Sequence, residues 1–477
     1  MQRNIYATSF EPRALSNKKM LTTHCSQLTA QKTIMKEKRD IIKKGFSKLI
    51  KEDKLKAVAE FVENPSEFIA LLKSFWHQDE ARQKQFDEFS ENTISNFHIP
   101  YGVSPNVIIN GESFVVPMVI EESSVVAAAS AAAKFWGERG GFHAEVIDVK
   151  KVGQVHFCWK GKKETLFSLM PEIKAELRRN TTSITEKMEK RGGGIIDIDI
   201  IDFTDKIENY YQLRVTFNTC DSMGANFINS ILENFGRSLQ DFFARQESLE
   251  KEEREVEIVM CILSNYTPEC KVKVWVECHT DELNGVYDQL DGKAFAEKFK
   301  KAVDIANIDE YRAATHNKGI YNGIDAVVIA TGNDFRAVEA AGHSYASRNG
   351  HYGSLSYVEI HDDIFRFTLE VPLALGTVGG LTSLHPLANK SLELLGNPSA
   401  KQLMMIAATM GLANNYAAVK SLTTKGIQQG HMKMHLANIL NQFGATEEEK
   451  AAATEHFKDK TVSYSEVEKF LHTIHNA

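Results

Sequence analysis

The chain has 477 residues, of which 43% are hydrophobic and 25% charged, with a formal net charge of -7. That balance predicts an ordinary globular protein with more than one core, roughly three domains by length. It argues against a broad basic surface for nucleic acid. The longest apolar runs, such as Val125–Ala129, fall far short of the ~20 residues that cross a bilayer. The six cysteines (25, 158, 220, 261, 270 and 278) form no CxxC pair and follow no secretory-type segment. They read as free thiols of a reducing cytoplasm.

Residues 1–45 are polar and moderately basic, without sustained apolar periodicity, and read as a flexible extension. Helical spacing begins near Phe46. Leu55, Val58, Phe61 and Val62 form a stripe, and Asn64-Pro65 caps and opens a second helix through Phe68, Leu71, Leu72 and Phe75. Val107–Ile109 and Phe114–Val116 flank Asn110-Gly111, the signature of a tight hairpin. Glu121 and Glu122 then precede an Ala-rich helix, Val125 to Phe135. Two carboxylates there either favour the positive end of the helix dipole or include a catalytic acid with a raised pKa.

A β-rich stretch follows around Val146–Val149 and Val155–Trp159, then a helix from Lys163 to Glu189. The Arg191–Gly194 loop leads into the alternating segment at 195–202. Strands Tyr211–Phe217 and Val256–Leu263 bracket a helix, Gly224 to Phe243. The turn before that helix, Thr219–Asn226, can cradle a phosphate, although it lacks the GxGxxG fingerprint of a Rossmann domain. Glu247–Glu257 is a charge run that reads as a solvated helix end.

Lys318 stands among small and polar neighbours, and Asp334 lies 16 positions on. The apolar run Ala326–Ala330 between them reads as a buried strand or the first turns of a core helix. Taken alone, the two charges suggest a structural ion pair; in a dry cleft they would stabilise negative charge on a substrate oxygen. Further on, Gly376–Gly380 permits close backbone approach before His385-Pro386. The tail predicts three short helices. The first carries Met432, Leu436, Ile439, Leu440 and Phe443 and ends at Gly444, and the second opens with a Thr446–Glu449 capping box. His431 and His435 stand four apart, but no third ligand joins them and no metal site is expected.

Six strings in order make the chain resemble 3-hydroxy-3-methylglutaryl-CoA reductase of the soluble, class II type. They are PMVIEESSVVAAAS (117–130), DSMGAN (221–226), ILSN (262–265), YRAATHNKGIYNGIDAVVIATGND (311–334), GTVGG with HPLA (376–388) and GIQQGHMKMH (426–435). The resemblance covers about 50–477. Residues 1–45 lie outside it, Ser222 stands where the family commonly has Ala, and Glu247–Glu257 reads as a small insertion.

The resemblance implies an α+β / α/β fold. A large substrate-binding and dimerisation domain spans 46–147 and 266–427. A ferredoxin-like nicotinamide-binding domain is inserted at 148–265, and a C-terminal helical flap covers 428–477. It implies a four-electron reduction of HMG-CoA to mevalonate and CoA by two NADH or NADPH, without a metal. The alternatives are the same enzyme oxidising mevalonate, or a non-catalytic CoA-thioester-binding homologue. By the family's pattern Glu122, Lys318, Asp334 and His431 are catalytic, with Asp334 orienting Lys318 and His431 protonating the CoA thiolate. Arg312, Ser124, Thr315 and Asn322 would bind substrate, and Asp221, Met223, Gly224, Asn226 and Asn265 the coenzyme. NAD and NADP are not distinguished: Arg178, Arg179, Lys187, Lys190 and Arg191 could accept a 2′-phosphate, and Asp197 or Asp199 could reject one. A homodimer or a hexamer of dimers is expected, with the site at the subunit interface and Glu122 and Lys318 from different chains. Neither nucleic acid nor a membrane is an expected partner, and the expected location is the cytoplasm.

Overall fold

A computed structural model describes residues 45–424, 426, 436–458, 460 and 462–475. The chain divides between Ile99 and Pro100 into two compact units. In the first, α1 (Lys51–Ala59) buries Leu55 and Ala59, and α2 (Pro65–Ser74) starts on a proline whose missing N–H costs nothing at a helix start. Asn64 makes no cap bond here; its amide turns to Glu67. Asp79 caps α3 (Glu80–Asp87) by accepting from Ala81 N and Arg82 N.

The second unit opens with the predicted hairpin, β1 (Tyr101–Ile109) against β2 (Glu112–Val119). Asn110 and Gly111 both take positive φ (51° and 84°), the backbone of a type I′ turn. Next, α4 (Val125–Gly137) buries Ala129, Ala132, Ala133 and Trp136, so small side chains bring it close to its neighbours.

After β3 (His143–Asp148) the chain builds a separate layer. It contains β4 (Lys151–Trp159), α5 (Lys163–Glu189), β5 (Gly194–Asp202), β6 (Tyr210–Asn218), α6 (Ala225–Ala244) and β7 (Val256–Ser264). The βαββαβ connectivity gives an antiparallel sheet of order β5-β6-β4-β7. Ile228, Ile231, Leu232, Phe235, Leu239 and Phe242 of α6 share one helical face and, with Leu166, Ile173 and Leu177 of α5, fill one core beneath the sheet. The Glu247–Glu257 run does not extend the helix. It forms a 3-10 turn, Lys251–Arg254, leading into β7, because Leu249 and Val256 are buried on either side and Arg254 holds the carbonyls of Glu247 and Leu249.

A second antiparallel sheet, β3-β8-β10-β9, contains β8 (Lys271–His279) at its centre, where Val272, Val274, Val276 and Cys278 alternate inward. Six helices follow around the last two strands: α7 (Gly292–Ile308), α8 (Glu310–Ala330) and α9 (Phe335–Ala346) precede β9 (Ser356–His361) and β10 (Ile364–Pro372). The last of them, α12, comes after the short α10 (Leu381–Leu384) and α11 (Pro386–Leu394) and runs Ala400–Thr423. The run Ala326–Ala330 is therefore the last turn of a helix, not a strand. Helices α8 and α12 meet where neither has a side chain: a Cβ at Gly323 would lie 2.1 Å from the Met410 carbonyl oxygen, and one at Gly411 would lie 2.7 Å from Ile324. At the C-terminus a helical stretch over 436–442, α13 (Glu447–His456) and α14 (Tyr464–His475) surround a small core of their own, Leu436, Ile439, Leu440, Ala453, Phe457, Val467 and Leu471. The Thr446–Glu449 capping box forms as predicted, whereas Met432 lies outside the described residues.

Candidate active site

Helix α8 organises the site because it is anchored on its buried side. His316 Nε2 lies 2.7 Å from Ser356 Oγ, and Ser356 Oγ donates to Asn415 Oδ1 at 2.8 Å. Asn317 donates to the Gly353 carbonyl at 2.9 Å and accepts from Leu355 N at 3.0 Å. Burial, with the Arg312 cation one turn away, holds the His316 pKa down to about 3, so this imidazole is neutral. The next residue, Lys318, falls on the opposite, exposed face.

There the Lys318 ammonium donates to Glu122 Oε2 at 2.6 Å. Glu122 precedes α4, and Ser124 beside it has φ 77°, an uncommon backbone for a non-glycine residue. The amine and the carboxylate thus meet within one chain, which corrects the expectation that different subunits supply them. Glu121, the other member of the pair, has no such contact.

Asp334 does not reach Lys318. It caps α9, accepting from Arg336 N (3.1 Å) and Ala337 N (3.3 Å), and it pairs with the Arg336 guanidinium at 3.0 Å. Burial pushes its carboxyl pKa up, but the bonds from Arg336 and Ala337 outweigh that and leave it low. A carboxylate one residue before a helix satisfies free N–H groups first. The expected Lys318–Asp334 pair therefore gives way to two pairs, each with its own partner. Further along α8, burial and the neighbouring Glu339 carboxyl push the Asp325 carboxyl pKa well above its ordinary range.

Arg312 sits on the same helix, half-buried, and among the described residues its guanidinium has no ion-pair partner; burial lowers its pKa. Thr315 returns its hydroxyl to the Tyr311 carbonyl. Ser124 and Asn322 are partly exposed, and among the described residues neither side chain has a hydrogen-bond partner.

The motif turns converge. Asn333 Oδ1 accepts from Gly376 N at 2.8 Å, and Thr377 N donates to the Asp221 carbonyl at 2.8 Å. A Cβ at Gly376 would lie 2.4 Å from Met223 N, which is why glycine is needed there. The Asp221 carboxylate accepts from Ala400 N (2.8 Å) at the start of α12. Gly224 has φ 89° and begins α6 with no side-chain cap and no acidic residue in the first turn. Free N–H groups and the positive helix end suit a phosphate there. Asn265 and Met223 line one small cavity with Ser264, Ala337 and Lys151. Asn226 lies in the first turn of α6.

Sequence reasoning missed two participants. Lys151 is buried and donates to Thr219 Oγ1 (2.6 Å) and the Ser222 carbonyl (2.7 Å); a lysine at the start of a strand carries no signal of that kind. Asn333 lies inside a quoted motif but received no role, and its link to Gly376 is visible only in three dimensions. His431 and His435 lie outside the described residues. Among the described residues no cluster of three or more His, Cys, Asp or Glu gathers as for a metal ion, and no helix is long and apolar enough to cross a membrane.

The family model for hydroxymethylglutaryl-coenzyme A reductase matches residues 51–436. The chain belongs to this family. A 3-hydroxy-3-methylglutaryl-coenzyme A reductase of Archaeoglobus fulgidus is 34% identical over 85% of this chain and 88% of its own length. A probable reductase of the same name from Borreliella burgdorferi is 31% identical over 83% of this chain and 88% of its own. Among solved structures, the class II 3-hydroxy-3-methylglutaryl-CoA reductase of Streptococcus pneumoniae bound to NADPH in open conformations is 36% identical. It aligns with a TM-score of 0.65 over 86% of this chain and 99% of that one. The mixed α/β architecture with antiparallel sheets is thus that of class II reductases of this family.

Proposed function

We propose that this HMG-CoA reductase family member converts HMG-CoA to mevalonate and free CoA at the expense of two reduced nicotinamide coenzymes, as a step of isoprenoid precursor synthesis. The observation that carries the reading is the 2.6 Å bond between Lys318 and Glu122, which brings an ammonium and a carboxyl group together on one exposed face.

The coenzyme supplies hydride to the carbonyl carbon. Each addition places negative charge on oxygen, and Lys318 stabilises it; a donor of this kind contributes ~10²–10³ in rate. Collapse of the first adduct breaks the C–S bond and expels the CoA thiolate, which His431 protonates. After the second addition Glu122 donates the proton that completes the alcohol. Asp334, paired with Arg336, is proposed as the second carboxylate of the site. Arg312, with no partner of its own among the described residues, is the cation for the substrate's free carboxylate. Ser124, Thr315 and Asn322 bind its hydroxyl and carbonyl oxygens.

For the coenzyme, Asp221, Met223, Gly224, Asn226 and Asn265 form the contact set. The uncapped start of α6 and the glycine-lined approach at Gly376 support a pyrophosphate there. The βαββαβ layer, 148–265, is read as a ferredoxin-like coenzyme domain inserted in a substrate domain, 46–147 with 266–427, and the helices of 428–477 as a closing flap. A homodimer, or a hexamer of dimers, is the proposed assembly.

The decisive assay follows loss of reduced-nicotinamide absorbance with HMG-CoA, with NADH and NADPH tested separately. Two coenzymes oxidised and one free thiol released per mevalonate are expected. No HMG-CoA-dependent oxidation with either coenzyme would remove the reading.

A further inference from the structure

Lys151 opens β4 at only 5% exposure, and two neutral oxygens hold its ammonium. A buried cation is costly unless its donors are met. Thr219 links the two acceptors, since its hydroxyl accepts from Lys151 and donates to the Ser222 carbonyl at 2.6 Å. The three groups form a closed knot beneath the turn that leads into α6. That turn holds a non-glycine residue in the left-handed region, Cys220 at φ 49°. It also contains Gly224, where a Cβ would lie 2.4 Å from Thr219 Cγ2. A backbone with these features persists only where its surroundings over-determine it, and the knot does so. The Asp221 carboxylate, within the same turn, accepts from Ala400 N. The Lys151 side chain also lines the cavity shared by Met223, Ala225 and Asn265.

We infer that Lys151 is a positioning residue for the coenzyme. It fixes Thr219–Gly224 in the conformation that presents the start of α6 to the phosphates of an anionic dinucleotide. This rests on the assignment of the turn to the coenzyme. Lys151 touches no reacting atom, so its effect belongs to coenzyme affinity and not to hydride delivery.

The test compares the parent, Lys151→Met, Thr219→Val and the double variant. Coenzyme Kd is read from reduced-nicotinamide fluorescence, and kcat and both KM values from turnover. For Lys151→Met the coenzyme Kd rises about tenfold or more, the order expected when hydrogen bonds to a charged group are lost. The KM for HMG-CoA and kcat at saturating coenzyme stay within about threefold, the pattern of a lost binding contribution. The double variant is no worse than the worse single one, because both break the same knot. A parent that binds neither coenzyme removes the coenzyme assignment and this inference with it. A parent that binds while Lys151→Met binds within about twofold, or loses kcat and affinity for both substrates alike, overturns this inference alone. Should Lys151→Met fail to fold, Thr219→Val is judged by the same criteria.

Discussion

Lys318 on α8 and Glu122 ahead of α4 stand 196 residues apart in sequence and 2.6 Å apart in space. Their side chains remain 59% and 40% exposed, so the pair adds little to stability. Lys318→Met should therefore leave the thermal midpoint nearly unchanged while lowering HMG-CoA reduction by ~10² or more. Activity within about tenfold of the parent would take Lys318 out of the oxyanion role.

Glu121 and Glu122 separate the two readings of the acidic pair. Glu122→Gln is expected to lose far more turnover than Glu121→Gln, because only Glu122 contacts Lys318. A shared helix-dipole role would cost each variant only ~1 kcal/mol of stability at most and little activity. Similar, mild losses in both would return the pair to that role.

The site depends on the close crossing of α8 and α12. Gly323→Ala places a methyl 2.1 Å from the Met410 carbonyl oxygen and forces the helices apart. A loss of about 1–3 kcal/mol is expected in urea unfolding. Gly319→Ala, one turn earlier, meets only Ala418 Cβ at 4.0 Å and should fold as stably as the parent.

His316 makes stability pH-dependent. Its folded pKa is about 3 against an ordinary 6.5, so below 6.5 the unfolded chain takes up a proton that the folded one refuses. The stability it contributes is complete above pH 6.5 and is lost as the pH falls from there toward 3. The slope from this group is at most about 1.4 kcal/mol per pH unit. Urea midpoints between pH 8 and 5 should fall more steeply for the parent than for His316→Gln. Parallel curves would mean that the imidazole is not held neutral.

His431→Gln should impair thioester reduction much more than reduction of supplied mevaldehyde. A CoA thiolate, from a thiol of pKa near ~8.5, survives at neutral pH and can re-add, whereas an imidazolium quenches it. Mevaldehyde has no thiolate to expel. His435 lies four positions on, so the double variant belongs in the same experiment. Equal loss with both substrates would give His431 a positioning role instead.

Local patterning and motif chemistry in the sequence were enough for the hairpin at Asn110-Gly111, the long helix Lys163–Glu189, the Thr446–Glu449 box and the family itself. Each is decided by neighbours within a few residues: a positive φ that glycine and asparagine accept, a 3.6-residue apolar period, a side chain that reaches its own backbone. The period could not choose between strand and helix for Ala326–Ala330, because a short run buried on all sides has no polar face to reveal it. Charge sign alone could not choose partners either. Lys318 goes to Glu122 because α4 and α8 bring them together, and Asp334 goes to Arg336 and the start of α9 because those donors are nearer. Lys151 beneath the Thr219–Ser222 turn, and Asn333 tied to Gly376, are likewise products of tertiary packing. Burial and proximity are properties of the folded chain: they turn an ordinary lysine or asparagine into a fixed point, and no local pattern encodes them.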